Sequence, residues 1–426
     1  MHEINTHKIT ADQTVIDPVE KGSGNNTVLA ISGWNILNED VCFPVAVLSN
    51  SAIQNNMQWM QSFADKAKVR LAPHGKTTMA PELFLQQKEM GCWAMSLATV
   101  PQVVAAYRAG VDRIILANQL VGKKHFELIA EILAAEKLEF YCFVDSVENL
   151  IALSDFFSEK KIKLNILLEI GVEGGRCGYR NFDQVEKVCQ KISTLPWMNL
   201  RGIAFYEGVI HGKNAAEKIK KFVNEIKILS EDLADKNYFS DGEVIISGAG
   251  SAWYDLVSEG LSSNLPDNMV AVIRPGCYVV HDTGIYEVAQ KQVLERNNIA
   301  CEVRGELINS LEIWAYVQSV PEPGLAIIGM GKRDVAFDAG LPTPYLCFRI
   351  NRKDQIKKPQ AVEASWKLID IMDQHSMLSF SVDADLKTGD LISFTTSHPC
   401  LTLDKWRKIG MMDDDFHIRK TIETCF

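Results

Sequence analysis

Between residues 67 and 276 short apolar runs alternate with longer amphipathic stretches. The apolar runs are Val69–Ala72, Trp93–Ala98, Arg113–Ala117, Phe140–Val144, Leu164–Ile170, Leu200–Phe205, Val244–Ser247 and Met269–Arg274. Their starts lie 24, 20, 27, 24, 36, 44 and 25 residues apart, room for a strand, a helix and two loops. Thr99–Ala109 and Ala215–Leu233 carry apolar residues three and four apart, the spacing of a helix lying over a sheet. Near-continuous apolar strands separated by helices imply an α/β protein whose parallel sheet is covered on both faces. Eight such units predict a (β/α)8 TIM-type barrel, with a doubly wound open sheet as the alternative. The glycine-rich fingerprint expected after a first dinucleotide-binding strand is missing, which favours the barrel.

Beyond about residue 290 the pattern changes. Gln292–Ser310, Trp314–Ser319, Leu325–Gly329 and Leu391–Thr395 read as strands joined by Pro/Gly turns, and helical spacing is scarce. A second, mostly β domain is expected there. Val28–Ile31 and Val45–Leu48 are also strand-like and are placed with it on less pattern.

Composition narrows the partners. A net charge of −10, with no Lys/Arg-rich block, argues against nucleic acid and points to a small-molecule partner. Ten scattered cysteines without a C-x-x-C pair, after a polar N-terminus, read as reduced thiols in a cytoplasmic protein. No apolar run approaches the roughly 18 residues needed to cross a bilayer, so no membrane partner is expected.

Active sites of such barrels lie at the carboxyl ends of the strands. Those positions hold His74 and Lys76 after the first run, Asn118 after the third, Asp145 after the fourth, and Glu169 with Arg176 after the fifth. Tyr206 and Glu207 follow the sixth, Ser247-Gly248-Ala249-Gly250-Ser251 the seventh, and Arg274-Pro275-Gly276-Cys277-Tyr278 the eighth. Lys76 leaves its strand through a Pro-His-Gly turn; a lysine partly desolvated there is a candidate Schiff-base former, although most isolated lysines are solvated loop residues. The seventh loop, all small residues before a helix, would present backbone N–H groups to an anion; a tight turn with glycines for backbone reasons is the alternative. A reactive lysine and a phosphate cradle across one barrel mouth together suggest pyridoxal phosphate, with Arg176 or Tyr206 on its ring or as ordinary rim residues. Far downstream, His398 and Cys400 stand two apart on an extended segment, and imidazole and thiolate are zinc ligands. Two ligands are fewer than usual, and a surface His beside a core Cys is the commoner outcome.

Pro-His-Gly-Lys-Thr at 73–77 resembles the cofactor-lysine motif of the D-serine dehydratase and D-threonine aldolase family, pyridoxal-phosphate enzymes of the alanine-racemase-like fold (fold type III). Glu169–Gly178, the Tyr206-Glu207-Gly208 stretch, Ser247–Ser251, Arg274–Tyr278, Asp338-Ala339-Gly340 and His398-Pro399-Cys400 line up in the same order. The resemblance implies a barrel over 44–290 binding pyridoxal phosphate, and a β domain from 1–43 and 291–426 carrying the metal pair. It implies Lys76 as Schiff-base lysine and proton acceptor, Tyr206 as catalytic partner, and cofactor contacts from His74, Arg176, Ser247, Gly248, Gly250, Ser251, Gly276 and Tyr278. It further implies Zn2+ on His398 and Cys400, a D-amino acid substrate, and a homodimer. Cys400 leans the expected reaction towards dehydration of a D-3-hydroxy amino acid such as D-serine, because thiolate selects zinc over oxygen-loving ions. The aldolase pattern has Asp in that place. Many members also carry a second His after the lysine, where Thr78 stands. Retro-aldol cleavage, racemisation and non-catalytic cofactor binding are the rival expectations.

Overall fold

The computed structural model describes residues 21–23, 33–263, 265–350 and 358–426; the strand-like Val28–Ile31 lies outside them. The chain divides into two compact units, Met1–Ala52 with Ser310–Glu423, and Ile53–Asn309 with Thr424–Phe426. It opens with β1 (Trp34–Asn35) and β2 (Val45–Ser49), and α1 (Asn50–Lys66) leads into the second unit.

That second unit is the expected barrel. Its strands are β3 (Arg70–Leu71), β4 (Met95–Leu97), β5 (Arg113–Gln119), β6 (Glu139–Val144), β7 (Leu164–Ile170), β8 (Met198–Phe205), β9 (Val244–Gly248) and β10 (Met269–Ile273). All pair in parallel, in the order β3-β10-β9-β8-β7-β6-β5-β4. The end strands meet through Trp93 N–H to Leu71 O (2.8 Å), Ser96 N–H to Pro73 O (2.9 Å) and a parallel bridge between His74 and Ser96. Between the strands run α2 (Pro81–Glu89), α3 (Val100–Arg108), α4 (Lys123–Leu133), α5 (Val147–Lys160), α6 (Phe182–Ile192), α7 (Ala215–Asp235) and α8 (Tyr254–Ser262), followed by α9 (Ile285–Arg296) and α10 (Asn298–Glu302). Alternate strand residues fill the interior: Ala72, Ile115, Tyr141, Phe143, Leu167, Ala204, Ile245 and Val272 form one buried cluster.

Gln292–Ser310 is not a strand. Its first part finishes α9, and α10 follows, capped by the Asn297 side chain accepting from Ala300 N–H at 2.9 Å. Arg296, at the end of α9, grips Asp255 in α8 through two bonds of 2.7 and 2.8 Å.

The first unit is the expected mostly β domain. Its later strands are β11 (Leu311–Glu322), β12 (Leu325–Ile328), β13 (Thr343–Phe348), β14 (Gln360–Ala361), β15 (Lys367–Ile371), β16 (Ser376–Ser379), β17 (Leu391–Thr395), β18 (Lys408–Met412) and β19 (His417–Glu423), with one short helix, α11 (Pro399–Leu403), after β17. β2 lies between β18, which it pairs in parallel, and β11, which it pairs antiparallel. Val45, Val47, Trp314, Leu391, Met412 and Ile418 share a buried cluster across these strands. Among the described residues no helix is long and apolar enough to cross a membrane.

Candidate active site

Leaving β3, the chain turns through a single 3-10 turn, Gly75–Thr77. A Cβ at Gly75 would lie 2.7 Å from a Leu97 methyl and 2.8 Å from the Phe84 ring, so only glycine lets the turn press against β4 and α2. Lys76 is thereby turned outwards at the carboxyl end of the barrel. It is exposed, with no hydrogen bond or ion pair to another described residue. His74, on the same turn, has an enclosed Nδ1 without a partner. Burial holds its basicity well below the usual range, and the nearby Lys76 and Arg274 cations add to the effect.

The loop after β10 meets this turn directly. His74 N–H donates to Pro275 O at 3.1 Å, and a Cβ at Gly276 would sit 2.7 Å from both His74 O and Thr77 Oγ1. The N–H groups of Gly276 and Cys277 converge on one oxygen, Ser251 Oγ, each at 3.1 Å. Ser251 belongs to the loop after β9. There Ala249 N–H and Gly250 N–H are turned onto the carboxylate of Glu207 at 3.0 and 2.8 Å, while the amides of Ser251 and Ala252 have no partner among the described residues. Tyr206, just before Glu207, lays its ring against this loop: a Cβ at Gly250 would be 3.0 Å from Tyr206 Cε2. The exposed Arg176 guanidinium stacks 4.5 Å from the centroid of that ring.

Of the residues singled out by sequence, His74, Lys76, Gly276, Ser251, Gly250, Tyr206 and Arg176 thus form one continuous rim. Ser247 and Gly248 are buried beneath it. Tyr278 is turned away, its fully buried hydroxyl accepting from Gln87 Nε2 at 2.8 Å, so only its backbone remains near the rim.

Two charged residues beneath the rim carry no role in the sequence reading. Arg274 is buried and donates to Ser247 Oγ (2.5 Å) and Phe205 O (2.8 Å); burial brings its pKa down to about 10, against the attraction of Glu207 and Glu169. Glu207 is fully buried; burial raises its pKa, and the N–H bonds of the β9 loop oppose that. On the far side, Glu169 accepts from Gln119, and Asp145 accepts from Gly178 N–H at 2.9 Å. The ligand atoms of Asp145, Glu169 and Cys177 lie within 4.8 Å of one another. The positive group of Lys76, Arg176 and Arg274, the enclosed imidazole nitrogen and the converging amides fit a phosphate-bearing aldehyde.

In the other unit, His398 precedes α11, whose first residue is Pro399. Its Nδ1 is 2.7 Å from Asp338 Oδ2. The hydrogen bond with Cys400, and also that with Asp338, pushes its pKa up to about 9, against partial burial. An imidazole bonded to a thiol, with a carboxylate on its Nδ1, is a donor group that fits a divalent ion.

Residues 48–281, more than half of the chain, match the family model described as alanine racemase, N-terminal domain. The chain belongs to that family. Residues 310–412 match the putative serine dehydratase domain, so both units are covered and the resemblance read from the motifs is borne out. A D-threonine aldolase of Arthrobacter sp. is 26% identical over 304 residues, 70% of this chain and 74% of that protein. Among solved structures, D-threonine aldolase from Filomicrobium marinum superposes with a TM-score of 0.74 at 19% identity, covering 90% of this chain and 95% of that one. A metal-free cysteine-to-alanine mutant of D-threo-3-hydroxyaspartate dehydratase, an enzyme of Delftia sp. HT23, gives 0.70 at 19% identity over 92% and 99%. This family's fold is the barrel with a mostly β domain described above.

Proposed function

We propose that this protein is a pyridoxal-phosphate- and zinc-dependent ammonia-lyase that converts a D-3-hydroxy amino acid, D-serine in the first instance, into a 2-oxo acid and ammonia. The observation that carries the reading is the exposed, unpaired Lys76 on a rim whose adjoining loop gathers two amides onto one oxygen. Bound at Lys76 through its aldehyde, pyridoxal phosphate supplies an electron sink next to the substrate's amino group. Ser251, Gly276 and Cys277 would hold the phosphate, and Tyr206 with Arg176 would flank the ring. Lys76, once its amine is free, would take the proton from the substrate's α-carbon. The contact between His398 and Cys400 supports dehydration, since that pair would hold zinc, a Lewis acid that eases loss of a hydroxyl. One water leaves and one is taken up, so D-serine yields pyruvate and ammonia. A homodimer in the cytoplasm is part of the same proposal.

Retro-aldol cleavage is the second reading, favoured by the names of the Arthrobacter and Filomicrobium relatives. Incubation with D-serine, D-threo-3-hydroxyaspartate and D-threonine separates them. Dehydration gives keto acid with ammonia, cleavage gives glycine with an aldehyde, and Lys76→Ala should lose either activity by more than about a thousandfold together with the imine absorbance. Keto acid production that survives complete metal removal would sink the zinc role.

A further inference from the structure

A histidine can offer one ring nitrogen to a metal only if the other is settled, because the tautomer decides which lone pair is free. His398 meets that condition through one residue, Asp338, whose Oδ2 lies 2.7 Å from Nδ1. Both side chains are partly exposed, so a casual surface ion pair is the competing account.

The surrounding bonds argue against a casual pair. The loop bearing Asp338 is fastened to the segment bearing His398 on both sides of the contact. Before it, Trp406 Nε1 donates to Asp334 O at 2.8 Å, and Ala336 N–H donates to Thr402 Oγ1 at 3.0 Å. After it, Ser397 Oγ donates to Gly340 O at 2.6 Å. The hydroxyls of Thr396 and Thr402, both fully buried, are 2.8 Å apart, and His398 N–H donates to Thr396 Oγ1 at 3.2 Å. A rotatable surface pair needs no such framework; a carboxylate that must meet one ring nitrogen at one angle does.

We propose that Asp338 is the positioning residue of the metal site: it accepts from His398 Nδ1–H and so presents Nε2, beside Cys400, to the ion. This rests on the metal reading given above. The test uses the full-length protein stripped with chelator and titrated with Zn2+ against a chromophoric competitor. His398→Ala and Cys400→Ala should lose binding. Asp338→Ala should weaken zinc binding about 10- to 100-fold, and Asp338→Asn, which keeps a carbonyl acceptor, should weaken it less. The zinc-free melting temperatures of both should match the parent, which a purely structural role would not allow. Parent-like zinc affinity in Asp338→Ala while the His398 and Cys400 variants fail would overturn the assignment. A loss as complete as that of His398→Ala would make Asp338 a ligand and overturn it too. If all the variants bind as the parent does, the metal reading itself falls, and this inference with it.

Discussion

Glu207, wholly enclosed behind the loop after β9, uses each carboxylate oxygen for one backbone amide, Ala249 and Gly250. Ala249 is held at φ +67°, a left-handed conformation costly for a residue with a Cβ, and the carboxylate bond on its N–H is what compensates. In Glu207→Gln the amide NH2 would face one of those N–H groups, two donors together, at a cost of about 1–3 kcal/mol. The rim beside Tyr206 should then relax, and the pyridoxal-phosphate dissociation constant should rise about tenfold when followed by absorbance. Unchanged affinity would mean that Glu207 serves folding only. Asp338 and Glu207 share a lesson: each acts through an acceptor geometry set by distant chain segments. Both stand inside or beside the sequence motifs, yet no spacing rule says which amide or ring nitrogen they meet.

At the scale of elements, the Asp255–Arg296 pair joins α8 to α9, with the Asp255 side chain fully buried and Arg296 also stacked 4.7 Å from the Trp253 ring. Removing one partner of a buried pair leaves the other uncompensated. Asp255→Asn should therefore lower stability by about 3 kcal/mol, read as a reduced urea midpoint with unchanged slope. The same region is where the strand reading failed. Continuous apolar runs made all eight barrel strands legible, because a strand buried on both faces has no polar side to confuse it. Gln292–Ser310 instead holds the last turn of α9 and the five-residue α10, separated at Asn297, pieces too short to show a helical period, and the Asn297 cap is the available signal. The rim could be read for a related reason: barrel topology sends every strand end to one mouth. Tyr278 could not, since its hydroxyl is claimed by Gln87 of α2.

For the molecule as a whole, acid–base behaviour includes one buried carboxyl outside the site. Glu312 in β11 is pushed up to about 7 by burial, partly opposed by Ser393 and Trp314. The folded state therefore binds this proton more tightly than the unfolded chain. Its contribution to stability is full below about pH 4.5 and is lost as pH rises through about 7. Glu312→Gln should be the more stable protein at pH 8, by about 3 kcal/mol, and should lose that advantage near pH 4.5, as urea titrations at the two pH values would show. The placement of β2 has a different consequence, one of timing. The barrel unit is almost one continuous stretch of chain, whereas β2 needs β11 and β18, whose residues are translated more than 250 positions later. On the ribosome, Val45–Ser49 must therefore wait as an unpaired apolar strand while nearly the whole barrel is made, and this segment is where a nascent chain of this protein would most need a chaperone.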